Sequence, residues 1–338
     1  MTTLTLFSPS GAVPKADAIK RATRRLTKLG FDVSVDADAL SRQQRFAGDD
    51  AARLAALHRV ADAAPSVALA TRGGYGLTRL LDQIDWARIA ASVESGTRWV
   101  GYSDLTALQN GFIARHKGLA MWSGPMANDD FGRSDADGGV DEVTRDCFVE
   151  AMSGALEAVG FRESTKALDG AFDGLEARGR LWGGNLTVLC SLLGTPHWPK
   201  IKGGILFLED VNEHPYRVER MLLQLQQAGV IDNQAAVLLG DFSGAARTPN
   251  DRGYGLKDAV AALRARTKTP VLTGLPFGHV RTKVCLPVGG TVELYVQGRE
   301  AILGWQSDPR LAHAAHEAGE ACGPDCGHDH HHGHHHDH

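Results

Sequence analysis

The 338-residue chain has few cysteines, few aromatic residues and no long apolar run. No segment approaches the roughly 20 consecutive apolar residues of a membrane-spanning helix. The N-terminus lacks the basic and apolar regions of a secretory signal. Three of the five cysteines are isolated in apolar or mixed surroundings and form no disulfide framework: Cys147, Cys190 and Cys285. We therefore expect a cytoplasmic protein without a membrane partner.

Most of the chain also lacks an excess of charge of either sign. Residues 308–338 contain six acids and one base, which leaves 35 basic and 34 acidic residues in the preceding body. The densest basic stretch, residues 20–28, has helical spacing and is interpreted as a solvated helix face. Because binding of backbone phosphates needs a concentrated basic surface, this balance argues against nucleic acid as a partner.

Strands and helices alternate along the body of the chain. Short apolar strands end in polar or glycine-rich loops and are followed by helical patterns, which is typical of a parallel sheet with ligands at those loops. We predict an α/β fold with an N-terminal open parallel-sheet domain, flavodoxin- or Rossmann-like, over residues 1–135. A connection over 136–174 and a C-terminal α/β domain with a mixed sheet over 175–307 complete the body.

The end of the C-terminal domain is predicted to form hairpins. Three apolar segments, Lys283–Val288, Thr291–Val296 and Ala301–Gly304, follow one another closely, with Gly289-Gly290 between the first two. Glycine pairs between strand-like segments are typical of tight turns. We therefore expect these three strands to pair in sequence.

Ser103 is the first candidate for chemistry. It follows an apolar strand and precedes a helix, in the sequence Gly101-Tyr102-Ser103-Asp104. A nucleophilic serine suits such a turn, because its hydroxyl projects from the sheet edge and nearby N–H groups face the forming oxyanion. The second glycine of the G-x-S-x-G motif is absent, since Leu105 stands there, and a serine before a helix is also a common N-cap. Both interpretations stay open for Ser103 alone.

Three further loops follow predicted strands. The loop Arg72–Gly76 can bind an anion or oxyanion with its backbone, or can be only a tight turn. Glu209, with Asp210, ends a buried strand, where a carboxylate can orient an imidazole or cap the next helix. His279 lies in a Pro/Gly loop and is the histidine of the body best placed to act as a base, although a lone loop histidine is often only solvated.

Ser103, Glu209 and His279 are more informative together than separately. Each ends a strand, and they occur in the chain order serine, acid, histidine that some hydrolases use. Their combination therefore favours a hydrolase.

Five ordered motifs carry a resemblance that covers about residues 4–305. They are Arg72-Gly73-Gly74-Tyr75-Gly76, Gly101-Tyr102-Ser103-Asp104, Gly183-Gly184-Asn185-Leu186 with Leu193-Gly194-Thr195-Pro196, Leu208-Glu209-Asp210, and Pro276-Phe277-Gly278-His279. In this order they resemble the motifs of the LD-carboxypeptidases, the serine peptidase family of muramoyltetrapeptide carboxypeptidase. The microcin C self-immunity peptidases are relatives within that family.

The resemblance implies a role for each of the three candidates and for two backbone segments. Ser103 would be the nucleophile, His279 the general base and Glu209 the acid that orients it. The oxyanion hole would use the backbone N–H of Asp104 and one from the Gly73-Gly74 turn. The resemblance also implies a site in the cleft between two domains and a homodimer. The reaction would be cofactor-independent hydrolysis of the bond to the terminal D-Ala of the cytoplasmic murein tetrapeptide, L-Ala–D-Glu–meso-diaminopimelate–D-Ala.

Substrate binding leaves alternatives open. A carboxypeptidase must bind a terminal carboxylate, for which Arg72 or the N-terminus of the helix after Ser103 is a candidate. A second hypothesis is the self-immunity activity, cleavage of aminoacyl-nucleotide conjugates, with Trp182 stacked on a purine. A tryptophan at a strand end is, however, more often a core residue. A third hypothesis, of a different class, is a non-catalytic metal-binding protein whose C-terminal tail does the binding.

The tail, residues 308–338, contains ten of the 15 histidines. Imidazole and thiolate are preferred ligands of zinc, nickel and copper, so we expect the tail to bind such metals apart from any catalysis. Interrupted histidine triplets and a cysteine pair favour a native segment over an expression tag. The candidate ligands are Cys322, Cys326, His328, His330, His331, His332, His334, His335 and His336.

Overall fold

The first half of the chain alternates strands with helices in a computed structural model that describes residues 1–166 and 170–305. Its elements are β1 (Thr2–Phe7), α1 (Ala16–Lys28), β2 (Phe31–Val35), α2 (Asp50–Ala63), β3 (Val67–Ala70), α3 (Trp86–Glu94), β4 (Arg98–Gly101), α4 (Leu105–Ile113) and β5 (Met121–Ser123). These five strands are parallel, and β2 and β3 flank β1 on opposite sides. The loops that leave β3 and β4 are therefore at the sheet edge where ligands of such folds bind.

The second half of the chain forms a mixed sheet. Its elements are α5 (Glu142–Ser153), β6 (Ala158–Arg162), β7 (Glu176–Asn185), α6 (Leu186–Leu192), β8 (Ile205–Val211), α7 (Pro215–Gln227), β9 (Ala236–Ser243), α8 (Leu256–Arg264), β10 (Val271–Thr273), β11 (Leu286–Val288), β12 (Thr291–Gln297) and β13 (Glu300–Gly304). Seven of these strands form one sheet in the order β10-β9-β8-β7-β12-β13-β6. Strands β7 to β10 are parallel, and β12, β13 and β6 are antiparallel. The predicted α/β fold with a parallel N-terminal sheet and a mixed C-terminal sheet is confirmed.

Burial follows the sequence pattern of each strand. Every residue of β3 and β4 is buried, as expected for parallel strands covered on both faces. In β12 buried and exposed residues alternate strictly, so one face of the antiparallel part of the sheet is open to solvent. Four of the helix starts, those of α2, α3, α5 and α6, carry a side-chain cap; at α2 the Asp49 Oδ1 accepts from the Ala52 N–H at 2.7 Å. Within the described residues no helix has the length and apolarity to cross a bilayer.

The hairpin prediction is wrong for the first of its three strands. β12 and β13 do form an antiparallel pair, but β11 pairs with β5 at the edge of the N-terminal sheet, with Leu286 opposite Ser123. Gly289, at φ +97°, lets the chain turn away between β11 and β12. The buried Leu286 and Val288 thereby complete the first sheet, so the chain returns to the N-terminal half after leaving it.

The segment interpreted as a connection, 136–174, contains regular secondary structure. Its helix is α5. The strand β6 follows it and pairs with β13 at the edge of the second sheet. The connection therefore contributes to the C-terminal sheet as well as leading to it.

The two halves meet where α4 packs against β7. The Asn110 Nδ2 donates to the carbonyl of Gly183 at 2.8 Å, and the N–H of Asn185 donates to the Thr106 Oγ1 at 2.9 Å. A Cβ atom on Gly184 would lie 2.5 Å from the same Thr106 oxygen, so only glycine permits this approach. Since α4 starts beside Ser103, this contact fixes that residue relative to the second sheet.

We expect Gly184→Ala to destabilise the fold more than Gly194→Ala. Both glycines have positive φ, +123° and +82°, so both alanines incur backbone strain of about 1–3 kcal/mol. Only at Gly184 would the new methyl also collide with Thr106, because nothing lies within 4 Å of the Cβ position at Gly194. Chemical denaturation measures both free energies of unfolding, and equal losses would contradict this description of the junction.

Candidate active site

Ser103 occupies a strained turn between β4 and α4. Its φ is +65°, a conformation that residues other than glycine adopt rarely, and such strain is concentrated at functional sites. The absent second glycine of the motif is explained by the fold, since the buried side chain of Leu105 fills the space above Gly101, where a Cβ would collide with it. The turn that carries Ser103 therefore needs only the first glycine of the motif, Gly101.

Gly73 lies against the Ser103 side chain. A Cβ atom on Gly73 would be 2.7 Å from both the Cβ and the Oγ of Ser103, and 3.2 Å from the backbone nitrogen of Asp104. The segment after β1 also holds this loop, because the N–H of Gly11 donates to the Gly73 carbonyl at 3.0 Å. The Gly73 loop therefore packs closely against both the Ser103 side chain and the start of α4.

The Asp104 side chain anchors the start of α4. Its Oδ2 accepts from the Ser10 Oγ at 2.7 Å and from the N–H of Leu77 at 2.9 Å. Burial raises the pKa of this carboxyl group, and the two hydrogen bonds oppose that effect. Asp104 thus ties the loops after β1 and β3 to the turn that carries Ser103. Its backbone N–H precedes the helix's own hydrogen bonds and is available to a ligand.

Glu209 is fully buried at the end of β8 and is held by Asn185. The Asn185 Nδ2 donates to the Glu209 Oε1 at 3.2 Å and to the Asp210 Oδ1 at 3.0 Å. Asp210 also accepts from the N–H of Thr187 at 2.9 Å, at the start of α6. The two acids therefore differ in their contacts: Asp210 caps a helix, and Glu209 keeps one oxygen for another partner.

That partner is His279. The Nδ1 of His279 lies 2.7 Å from the Glu209 Oε2, and its Nε2 lies 3.2 Å from the Ser103 Oγ. A carboxylate at Nδ1 stabilises the tautomer that carries its proton there, which leaves the Nε2 lone pair directed at the serine hydroxyl. The Tyr102 ring meets the imidazole edge-to-face, with centroids 4.9 Å apart. The structure thus brings the three predicted residues into one hydrogen-bonded chain.

A buried ion pair holds the His279 loop against the first half of the chain. Lys283 and Asp130 are both almost fully buried and are paired through Nζ and Oδ1. The N–H of Lys283 donates to the Thr144 Oγ1 at 2.8 Å, and the Lys283 ammonium lies 5.2 Å from the Tyr102 ring centroid. Since breaking one member of a buried pair leaves an uncompensated charge, this contact strongly restricts the loop.

A polar cavity of about 630 Å³ opens beside the Ser103 hydroxyl. This volume is in the range of small-molecule sites. Its lining includes the Gly73-Gly74 turn and Tyr102, and its charged or amide side chains are those of Arg72, Asp129, Arg133, Asn212 and Arg281. The cavity suits a small ligand that carries both anionic and cationic groups.

The two predicted binding residues have different positions. Arg72 lines the cavity; its Nη1 donates to the Ala12 carbonyl at 3.2 Å, and its buried Nε has no hydrogen-bond partner among the described residues. Trp182 is fully buried, donates from Nε1 to the Gln234 Oε1 at 2.9 Å and packs edge-to-face on Trp198. Stacking of Trp182 on a ligand base is incompatible with this position, and the core interpretation holds instead.

Sequence reasoning missed several residues of the cavity. Asp129 and Arg133, four residues apart, lie at the end of the predicted N-terminal domain, in an Asp/Gly-rich stretch. Asn212 follows Asp210 closely, and Arg281 follows His279 closely. For Asn212 and Arg281, proximity in sequence to a predicted site residue was the available signal. Such proximity does not distinguish side chains that line a cavity from side chains in solvent.

Over residues 1–166 and 170–305, no group of three or more His, Cys, Asp or Glu side chains is arranged to hold a metal ion. The tail ligands proposed from the sequence, from Cys322 to His336, lie outside the described residues.

Known proteins of similar sequence and structure share this arrangement of domains. Residues 4–124 match the LD-carboxypeptidase N-terminal domain, and residues 178–294 match the LD-carboxypeptidase C-terminal domain. The crystal structure of muramoyltetrapeptide carboxypeptidase from Oxalobacter formigenes is similar with a TM-score of 0.79 and 38% identity, over 89% of this chain and 98% of that one. The murein tetrapeptide carboxypeptidase of Pseudomonas aeruginosa is 31% identical over 293 residues, 86% of this chain and 92% of its own. The microcin C7 self-immunity protein of Escherichia coli is 28% identical over 249 residues, 65% of this chain and 68% of its own.

A serine, a histidine and a buried carboxylate joined in this order form the constellation of the serine hydrolases, here at the edge of two α/β sheets. Within that class, the matches to both domains identify the particular family. The chain belongs to the LD-carboxypeptidase family, and the resemblance inferred from its five motifs is confirmed.

We expect Gly73→Ala to lower the rate of peptide hydrolysis by at least about 100-fold, because a shift of the nucleophile by about 1 Å is enough for such a loss. The new methyl would displace Ser103, whereas at Gly160 the nearest atom to a Cβ position is 3.9 Å away. Gly160→Ala is therefore the matched control and should retain full activity. Steady-state kinetics and melting temperatures test both variants; a fully active Gly73→Ala protein would show that the close contact is unnecessary.

Proposed function

We propose that the protein is a serine LD-carboxypeptidase that removes the terminal D-Ala from murein tetrapeptide. The observation that carries the proposal is the hydrogen-bonded chain from Ser103 through His279 to Glu209, beside a polar cavity. Two similar proteins are named as murein tetrapeptide and muramoyltetrapeptide carboxypeptidases, and their similarity extends over most of this chain. The tetrapeptide is the substrate we assign to the cavity.

The first chemical step is attack by the Ser103 Oγ on the carbonyl carbon that precedes D-Ala. His279 Nε2 accepts the hydroxyl proton and then gives it to the departing amine of D-Ala. Glu209 stabilises the imidazolium through Nδ1, and Asn185 holds Glu209 in place. Water, activated by the same imidazole, then attacks the acyl-enzyme and releases the tripeptide.

The negative charge that develops on the carbonyl oxygen is assigned to backbone donors. The proposed donors are the N–H of Asp104, at the start of α4, and an N–H of the Gly73-Gly74 turn. The assignment is supported by the closeness of Gly73 to both groups, since its Cβ position is 2.7 Å from the Ser103 Oγ and 3.2 Å from the Asp104 nitrogen. Backbone donors in a rigid turn need no reorganisation as charge develops, which is why such sites contribute strongly to rate. Apart from the water that attacks the acyl-enzyme, every group that takes part in the proposed reaction belongs to the protein or the peptide.

We assign the terminal carboxylate of the substrate to Arg72. A carboxypeptidase acts only at a chain end, so it needs a group that binds the terminal carboxylate, and an arginine can do so through charge-assisted hydrogen bonds. Arg72 directly precedes the Gly73-Gly74 turn, and its guanidinium has a buried nitrogen without a partner among the described groups. The start of α4, the other candidate from the sequence, is adjacent to the hydroxyl and is better suited to the oxyanion.

We also infer a cytoplasmic enzyme that forms a homodimer. The dimer rests on the family resemblance alone. The location rests on the sequence, whose isolated cysteines form no disulfide framework, a usage typical of proteins in a reducing compartment.

The self-immunity activity has less support as a second function. The argument for it from the sequence was that a purine ring would stack on Trp182, and the Trp182 side chain is buried in the core. The metal-binding hypothesis depends on residues 308–338, which the structure does not describe. The metal-binding hypothesis also makes no use of the contact between Ser103 and His279.

The direct test is release of D-Ala from murein tetrapeptide by wild-type protein and Ser103→Ala, each with and without a chelator. We expect turnover by the wild type in both conditions and a loss of more than about 10⁴-fold in the variant, since removal of a nucleophile has effects of this size. An aminoacyl-sulfamoyl adenosine, assayed in parallel, should be a poorer substrate. Wild-type turnover by Ser103→Ala, or turnover abolished by the chelator, would refute the mechanism.

A further inference from the structure

The cavity contains one carboxylate for which the mechanism has no use, that of Asp129. It lies in a single π-helical turn, Ala127–Phe131, directly before Asp130. Short π-helical segments are rare and are often found at functional sites. In this turn two consecutive acidic side chains have different surroundings. Asp130 is buried against Lys283, whereas Asp129 lines the cavity.

Asp130 has a complete set of structural contacts. Its Oδ2 accepts from the N–H of Met126 at 2.8 Å, and its Oδ1 pairs with Lys283. Asp129, by contrast, accepts a side-chain hydrogen bond only from its neighbour, with the Asn128 Nδ2 2.6 Å from Oδ1. Among the described residues it forms no ion pair. A structural role in holding the turn is therefore filled by Asp130 and leaves Asp129 unexplained.

The two cations that act electrostatically on Asp129 each have a contact with another residue. Lys283 and Arg72 both act electrostatically on Asp129, but Lys283 is paired with Asp130 and Arg72 donates to the Ala12 carbonyl. Burial raises the pKa of the Asp129 carboxyl, and the neighbouring Asp130 adds to that effect. A half-buried carboxylate in this position is stabilised as an anion if a ligand brings a positive charge to it.

The substrate that the family resemblance implies carries such a charge. The residue whose carbonyl Ser103 would attack is a diamino acid, and its side-chain amine is protonated at neutral pH. Carboxylates of the peptide can be met by the three arginines of the cavity, Arg72, Arg133 and Arg281, whereas Asp129 is the acidic side chain among the lining residues. The arrangement of charges in the cavity thus matches a residue with an ammonium group.

We propose that Asp129 binds the side-chain ammonium of the substrate's third residue and selects peptides that carry a free amine there. This inference rests on the proposed carboxypeptidase function. It makes Asp129 a determinant of specificity with no part in proton transfer, since the proton path runs through Ser103 and His279. Hydrogen bonds between charged groups contribute enough for a preference of about 10- to 100-fold.

Two tetrapeptides test the proposal: one with a free side-chain amine at the third residue, and one with that amine acetylated. We expect wild-type protein to prefer the free amine by about 10- to 100-fold in kcat/KM, mainly through a lower KM. Asp129→Asn should cleave the two peptides with similar kcat/KM, and Asp129→Glu should restore part of the preference. Because the ratio compares two substrates in one sample, a smaller folded fraction does not alter it.

Asp137→Asn is the matched control, because Asp137 is an exposed acid of the same segment and is not among the cavity residues. It should keep the wild-type preference. An unchanged preference in Asp129→Asn, or equal cleavage of both peptides by the wild type, would overturn the inference and leave the carboxypeptidase function standing. Failure of the wild type to cleave either peptide would instead refute the function itself.

Discussion

The contact between α4 and β7 is the constraint on which the rest of the structure depends. The helix begins immediately after Ser103, and the strand ends at Asn185, which holds Glu209. Two hydrogen bonds from this interface join groups that are 73 and 79 residues apart in the chain. Because each element carries its own functional group, one interface sets the separation of serine and acid. The imidazole of His279 contacts both the Glu209 carboxylate and the Ser103 hydroxyl. It lies on a loop that the ion pair of Lys283 holds against the first half of the chain.

Close approach and complete hydrogen bonding make this arrangement rigid. Glycine stands where two segments meet too closely for a side chain, at Gly73 beside the nucleophile and at Gly184 beside the helix. The buried acids around the site are each satisfied, Glu209 and Asp104 by two partners apiece. Unsatisfied buried polar groups are costly, so these bonds favour a single arrangement of the loops. Asp129, which opens on the cavity, is the contrasting case and for that reason the best candidate for a ligand contact.

The sequence predicted what is local and periodic. Apolar runs and their terminating loops indicated the strands and placed Ser103, Glu209 and His279 at strand ends; the structure brings these residues together, and their catalytic roles are our proposal. It could not predict that β11 crosses to the first sheet, because an apolar strand after a glycine-rich turn is compatible with either partner. The burial of Trp182 depends on contact with Trp198, which is not a local property. Asp129 was missed because only tertiary packing separates it from Asp130.

The central claim is that groups from both halves of the chain act as one unit, and a double-mutant cycle measures this most directly. The values of kcat/KM for the wild type, Glu209→Gln, His279→Ala and the double variant give the coupling between acid and imidazole. If Glu209 acts only through His279, the double variant will be no less active than His279→Ala alone. Losses that multiply in the double variant would show that the two residues act independently and would contradict the account.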